Sequence, residues 1–123
     1  MTLKFHNTLS RIKEEFVPIQ PGKVGMYTCG PTVYDFAHLG NFRAYIVADL
    51  IKRYLRYKGY EVKHVVNLTD VDDNTIRGSQ KEKIPLSQYT QRYKDAFFED
   101  VKTLNIQLAD LYPEATAHVN DMV

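Results

Sequence analysis

The sequence is poor in the features that mark a specialised environment. It holds one cysteine in 123 residues, so no internal disulfide can form and nothing points to an oxidising compartment. It has no excess of charge of one sign: 16 basic and 15 acidic residues leave a net charge of +1. That balance excludes a global attraction to nucleic acid and leaves room only for a local patch. No apolar run approaches the roughly 20 residues a bilayer-spanning helix needs. The opening "MTLKFHNTLSRIKEEF" scatters charges where a secretory signal would carry an apolar core. Repeats and low-complexity tracts are absent, as are a GxGxxG fingerprint and a Walker loop. What remains is an ordinary globular composition, 44% hydrophobic and 25% charged, expected of a cytoplasmic protein with no membrane partner.

Residues 3–9 and 13–17 flank a polar turn and predict a hairpin, followed by the turn-rich "PIQPGK". The uncharged run 24–29, "VGMYTC", suits a buried parallel strand. Over residues 41–58 the period switches. Phe42, Tyr45, Ile46, Leu50, Tyr54 and Tyr57 recur at threes and fours, basic residues crowd the last turns, and Gly59 stands where a left-handed residue ends a helix. Residues 60–69, "YEVKHVVNLT", return to β-branched alternation. Strand, helix and strand in this order form a βαβ unit. The expected fold class is therefore α/β, the first half of a Rossmann-like parallel sheet, with an N-terminal hairpin and C-terminal helices.

Beyond the second strand, "DVDDNTIRG" opens a short helix and "GSQKEKIP" reads as a polar linker. A long amphipathic helix is predicted from Ser87 to Leu104, and "YPEATAHVNDMV" looks like the start of another, with Pro113 in its first turn. That helix stops within its second turn, so the 123 residues read as part of a longer chain.

The chemistry concentrates in "CGPTVYDFAHLGN", residues 29–41. Ligands of parallel α/β sheets bind beyond the carboxyl ends of the strands. Cys29 and Gly30 sit at one such end, with Asn67 and Thr69 at its neighbour. His38 to Asn41 open the crossover helix, where unpaired N–H groups and the helix dipole favour an anion such as phosphate. Gly40 removes a side chain where a flat ring or phosphate could approach the backbone.

Together, "GMYTCGPTVYDFAHLGNFRAYIVADLIKRYLRYKGYEVKHVVNLTDVDD" resembles the N-terminal part of the catalytic domain of the cysteinyl-tRNA synthetases, class I aminoacyl-tRNA synthetases. The likeness extends from "FHNTLSRIKEEF" through "LNI". "HLGN" stands where the family has His-Ile-Gly-His, and Asn41 replaces the final histidine. Asparagine still donates a hydrogen bond but carries no charge.

The resemblance implies ATP-dependent, Mg2+-assisted activation of L-cysteine to cysteinyl-adenylate and transfer to tRNA(Cys). Its site residues would be His38 and Asn41 as catalytic donors. Gly30, Pro31, Thr32, His38, Gly40 and Asn41 would hold the nucleotide, and Cys29, Gly30, Thr32, Asn67 and Thr69 the amino acid. Cys29 would be one of four zinc ligands, the metal binding the substrate thiolate. Zinc favours soft sulfur and lowers a thiol's pKa, which separates cysteine from serine. The other ligands, the lysine-rich loop, the second Rossmann half and the anticodon-binding helices would lie in the remainder of the protein. Alone, the 123 residues are expected to bind little or no zinc, to have little or no activity, and to self-associate or rearrange loops because a strand edge and an apolar face are left uncovered.

Plainer roles stand beside these. A single cysteine is often a small buried hydrophobe, and a single histidine before a helix a polar cap. "TDVDD" reads as acidic capping of the next helix, and "KRYLRYK" as a solvated basic helix end ahead of an RNA-binding patch. His64 alternates with apolar neighbours and reads as structural. The tyrosines, mostly on helix stripes, read as core or core rim, and Tyr27 and Tyr34 flank Cys29. Two competing functions are a cysteine ligase of mycothiol synthesis, sharing fold, zinc and adenylate step, and a non-catalytic truncated nucleotide-binding module.

Overall fold

The computed structural model describes residues 2–122. Strands β1 (Lys4–Asn7) and β2 (Ile12–Glu15) form the antiparallel hairpin, with Arg11 at positive φ in its turn. Strand β3 (Lys23–Thr28) then leads into helix α1 (Leu39–Tyr57), which returns the chain to strand β4 (Glu61–Val66), parallel to β3 from Lys23↔Glu61 to Thr28↔Val66. The βαβ unit stands as the alternation of patterns requires. Gly59, at φ 89°, ends α1: its N–H bonds Arg56 O and the Tyr60 N–H bonds Leu55 O, which satisfies carbonyls the last turn leaves free.

Helices α2 (Asp73–Glu82) and α3 (Leu86–Thr103) follow. The "GSQKEKIP" linker is corrected here, because Gly78–Glu82 belong to α2. Asp72 caps this helix by accepting from Thr75 N, and Gly78 seats Tyr89 of α3 where any side chain would collide with the tyrosine ring. The acidic residues before α2 divide their work. Asp72 is the cap, whereas buried Asp70 accepts from both the N–H and the hydroxyl of Thr116.

The C-terminal segment departs from expectation. Residues 111–114 run extended beside β4, with parallel bridges Val65↔Leu111 and Leu68↔Glu114, so Pro113 sits in a strand-like position and not in a first helical turn. Its carbonyl accepts from Leu68 N. A short 3-10 turn (Thr116–His118) and helix α4 (Val119–Met122) come only afterwards. The sheet is thus β3, β4 and a third parallel ribbon, in that spatial order.

Two apolar clusters hold these layers. Phe42 of α1, Leu68, and Phe97 and Val101 of α3 form one, with the rings of Phe42 and Phe97 stacked at 6.1 Å. Val24, Leu55 and Val62 form the other, near the amino ends of β3 and β4. Each such side chain contributes about 1.5–3 kcal/mol by leaving water.

The stripe singled out on α1 is only partly the buried one. Phe42 and Leu55 are inside, but Leu50, Tyr54 and Tyr57 are exposed, Tyr57 at 84%. Two polar residues of α1 lie inside as well. Asp49 is buried and Lys52 is fully so, which corrects the solvated-end reading of "KRYLRYK" at Lys52, while Tyr54, Arg56, Tyr57 and Lys58 are exposed as it expects. Lys52 Nζ donates to the carbonyls of Gln107 (3.2 Å) and Leu108 (2.5 Å). Asp49 accepts from Gln107 N and from Arg53, Arg53 also reaches Asn105 O, and Arg56 reaches Gln107 and Val62 O. No helix among the described residues is long and apolar enough to cross a membrane.

Candidate functional site

The carboxyl end of β3 does not simply stop. The ladder pairs Thr28 with Val66, is interrupted, and resumes as a parallel bridge between Thr32 and Thr69. Three residues, Cys29, Gly30 and Pro31, lie between those pairs on one side, against two, Asn67 and Leu68, on the other. The extra residue is a β-bulge, a device that breaks the pleat and re-aims a side chain. Past it the backbone closes again, with Thr69 N bonding Pro31 O and Val33 N bonding Thr69 O.

Cys29 rides on this bulge with its thiol exposed and free. Burial as a small hydrophobe does not describe it. Gly30 follows where a side chain would collide with the Asn67 carbonyl oxygen, so the glycine is required by close approach of the two strands. Its N–H, deprived of a ladder partner, donates to Asn67 Oδ1 at 2.9 Å. The same oxygen accepts the Tyr27 hydroxyl at 3.0 Å, and Asn67 Nδ2 donates to Thr69 Oγ1 at 3.1 Å.

On the other wall stands the start of α1. His38 is its N-cap: Nδ1 accepts from Gly40 N at 3.0 Å, and the His38 N–H donates to Asn41 Oδ1 at 3.1 Å. This reciprocal capping box has a chemical consequence. With Nδ1 an acceptor, the neutral imidazole carries its proton on Nε2. Asn41, its oxygen taken, keeps its amide N–H groups. Two donors therefore remain without partners among the described residues, both at a helix N-terminus. A Cβ on Gly40 would stand 2.7 Å from His38 Cε1, so the glycine also makes room for the ring that caps it.

Between the walls lies a cleft of about 360 Å³ lined by Gly30, Pro31, Thr32, His38 and Asn41, together with Tyr34, Asp35, Phe36, Ala37 and Tyr45. Cys29, Gly40, Asn67 and Thr69 are not on its lining; the first borders it through Gly30, and the other three hold its walls. Sequence reasoning missed Tyr45, although its place one turn after Asn41 puts it on the same helical face. Burial, with the neighbouring Cys29 adding to it, pushes the Tyr45 phenol up to about 12, so it stays protonated. Tyr89 was missed as a support. Its hydroxyl, pushed up to about 12 by burial, donates to Tyr34 O at 2.7 Å and ties α3 to the rim.

Beneath Cys29, the Thr28 hydroxyl meets His64 Nε2 at 2.8 Å. His64 is buried, its Nδ1 lacks a partner, and burial together with Lys52 holds its pKa below the ordinary range. It is a neutral structural residue, as its alternation with apolar neighbours suggests. Among the described residues, no group of three or more His, Cys, Asp or Glu side chains could hold a metal ion. Cys29 by itself offers one outward soft donor.

Comparison with known proteins fits this arrangement. A family model for class I (C) tRNA synthetase catalytic domains matches residues 15–123. The chain is 57% identical over 119 residues to the cysteine–tRNA ligase of Brachyspira hyodysenteriae, covering 97% of this chain and 25% of that protein. It is 55% identical over 121 residues to the Chlamydia pneumoniae enzyme, covering 98% of this chain and 25% of the relative. It thus spans about a quarter of the length of the curated relatives it matches. Among solved structures, Mycobacterium tuberculosis methionyl-tRNA synthetase in complex with methionyl-adenylate superposes with a TM-score of 0.67, covering 75% of this chain and 18% of the other. At 21% identity that likeness speaks for the α/β fold alone.

Proposed function

We propose, because the chain belongs to the family of class I (C) tRNA synthetase catalytic domains, that it is the N-terminal part of the catalytic domain of a cysteine–tRNA ligase. The whole protein would act in the cytoplasm, activating L-cysteine with ATP to cysteinyl-adenylate and passing the cysteinyl group to tRNA(Cys). The carboxylate attacks the α-phosphate in line and expels pyrophosphate, and the tRNA hydroxyl then takes the cysteinyl group with release of AMP, so positioning and charge stabilisation are the protein's task.

The observation that carries this reading is the convergence of unlike donors on one cleft. His38 and Asn41 line it at the helix start, and the capping box leaves the Nε2–H and the Asn41 amide unused. There they would hydrogen-bond the nucleotide, whose phosphates, with Mg2+, meet the positive end of the α1 dipole. Asn41 supplies a hydrogen bond without the charge of a second histidine. Gly30, Pro31 and Thr32 form the opposite wall, against which adenylate and amino acid would lie. Cys29, exposed beside that wall, would hold zinc with ligands from the remainder of the protein, and the metal when bound supplies a soft acceptor for the substrate thiolate.

The test is cysteine-dependent ATP–pyrophosphate exchange by the full-length protein, with serine as control. Exchange with cysteine and not serine, abolished in a folded Cys29→Ser variant, is expected. Equal exchange with serine, or an unchanged rate in Cys29→Ser, would overturn the assignment.

A further inference from the structure

We propose that Asn67 is a positioning residue for the Cys29 thiol, its side chain serving as the clip that holds the one-residue bulge in shape. This rests on the cysteine-ligase reading for its consequence in turnover, though not for its geometry. A bulge in a parallel pair leaves an N–H without a ladder acceptor, and buried or half-buried N–H groups need partners. Here the orphan is Gly30 N, and Asn67 Oδ1 replaces the missing carbonyl at 2.9 Å.

One acceptor would still allow the bulge to swing. The Tyr27 hydroxyl binds the same oxygen at 3.0 Å from the strand before Cys29, and Thr69 Oγ1 fixes the amide end at 3.1 Å from the strand after it. Cys29 is therefore bracketed, with Tyr27 two residues before it and Gly30 one after, both bonded to a single atom of the neighbouring strand. The Asn67 backbone closes the bracket from below, since only glycine at position 30 tolerates its carbonyl. The outward thiol has only a long contact of its own, donating to Gly30 O at 3.7 Å; the amide of Asn67 adds constraint through Gly30 and Tyr27.

This assigns Asn67 a different task from contact with the amino acid. Its oxygen accepts two hydrogen bonds, its capacity, and one of its two amide N–H groups is engaged by Thr69. Through those three bonds it fixes where sulfur stands.

Three measurements on the full-length protein test it, using Asn67→Leu and Asn67→Asp. Aspartate keeps the oxygen for Gly30 and Tyr27, and the Thr69 hydroxyl can turn to donate; leucine keeps the volume and loses every bond. In Asn67→Leu, Gly30 amide hydrogen exchange should quicken about tenfold or more. Alkylation of Cys29 by iodoacetamide, followed by peptide mass spectrometry, should quicken about threefold or more as the thiol is released. KM for cysteine should rise about tenfold with KM for ATP within about twofold. Asn67→Asp should stay within about threefold of wild type throughout. Unchanged exchange and alkylation in a folded Asn67→Leu protein would overturn the clip, as would equal damage in Asn67→Asp. A rise shared equally by both KM values would overturn positioning of the thiol. If wild type activates no cysteine at all, the functional reading falls, while exchange and alkylation still decide the clip.

Discussion

Helix α1 has two ends built from similar polar residues and used in opposite ways. At the N-terminal end, His38, Gly40 and Asn41 satisfy one another within a single turn and leave the imidazole Nε2–H and the Asn41 amide unused, on residues that line an open cleft. In the C-terminal half, Asp49, Lys52, Arg53 and Arg56 reach carbonyls and amides of residues 105–108, more than 50 positions along the chain. The first set is satisfied locally and stays available to a ligand. The second binds the fold together and has nothing left to offer. Polar residues on one helix thus divide between function and structure according to where their partners lie.

The sharpest way to probe that division is to separate cap from donor at the first end. Serine is a good N-cap, so His38→Ser should leave the melting midpoint of the full-length protein within the equivalent of about 0.5 kcal/mol. It removes Nε2–H, however, and cysteine-dependent pyrophosphate exchange should fall about 10²–10³-fold, as when one preorganised donor is lost. An equal loss of stability and activity would show that the two ends do not differ.

The reverse experiment is Lys52→Ala. It leaves the Gln107 and Leu108 carbonyls unpaired in a buried site and opens a cavity, so stability should drop by about 2–4 kcal/mol, read by urea denaturation. Substrate KM values of the protein that remains folded should hold near wild type. Altered KM with unaltered stability would place Lys52 with the cleft instead.

A smaller effect belongs to His64, which lies under the C-terminal half. Lys52 and Arg56 disfavour its charge, Asp110 and Asp49 favour it, and burial outweighs both. The folded state therefore binds its proton less readily than the unfolded chain does. Stability should be fully present above the ordinary histidine pKa of about 6.5 and decline as pH falls below it, because there the unfolded chain takes up the extra proton. Asp110, held low by the His64 N–H, steepens the loss at more acid pH. Thermal melts across this range should show a shallower decline in His64→Gln, and identical slopes would remove His64 from the account.

Local chemistry was legible in the sequence and remote chemistry was not. Period and breakers placed α1 at 41–58 against Leu39–Tyr57, α3 at 87–104 against Leu86–Thr103, and both parallel strands to within a few residues. The candidate donors His38 and Asn41 followed from a helix start, which is a local signal. Lys52 resembled its solvated neighbours because its acceptors lie 55 and 56 residues away. Pro113 was assigned to a helix because the pairing that draws it into the sheet comes from Leu68. The bulge was hidden for the same reason, since an offset between strands exists only once both are aligned.

The dependence of Lys52 on Gln107 and Leu108 also orders events during synthesis. At about 5–20 residues per second, the ammonium emerges from the ribosome seconds before either carbonyl that will receive it. Until then α1 cannot seat against its sheet without carrying a naked cation inward, so the nascent βαβ unit must wait, loosely assembled, for the ribbon that completes it.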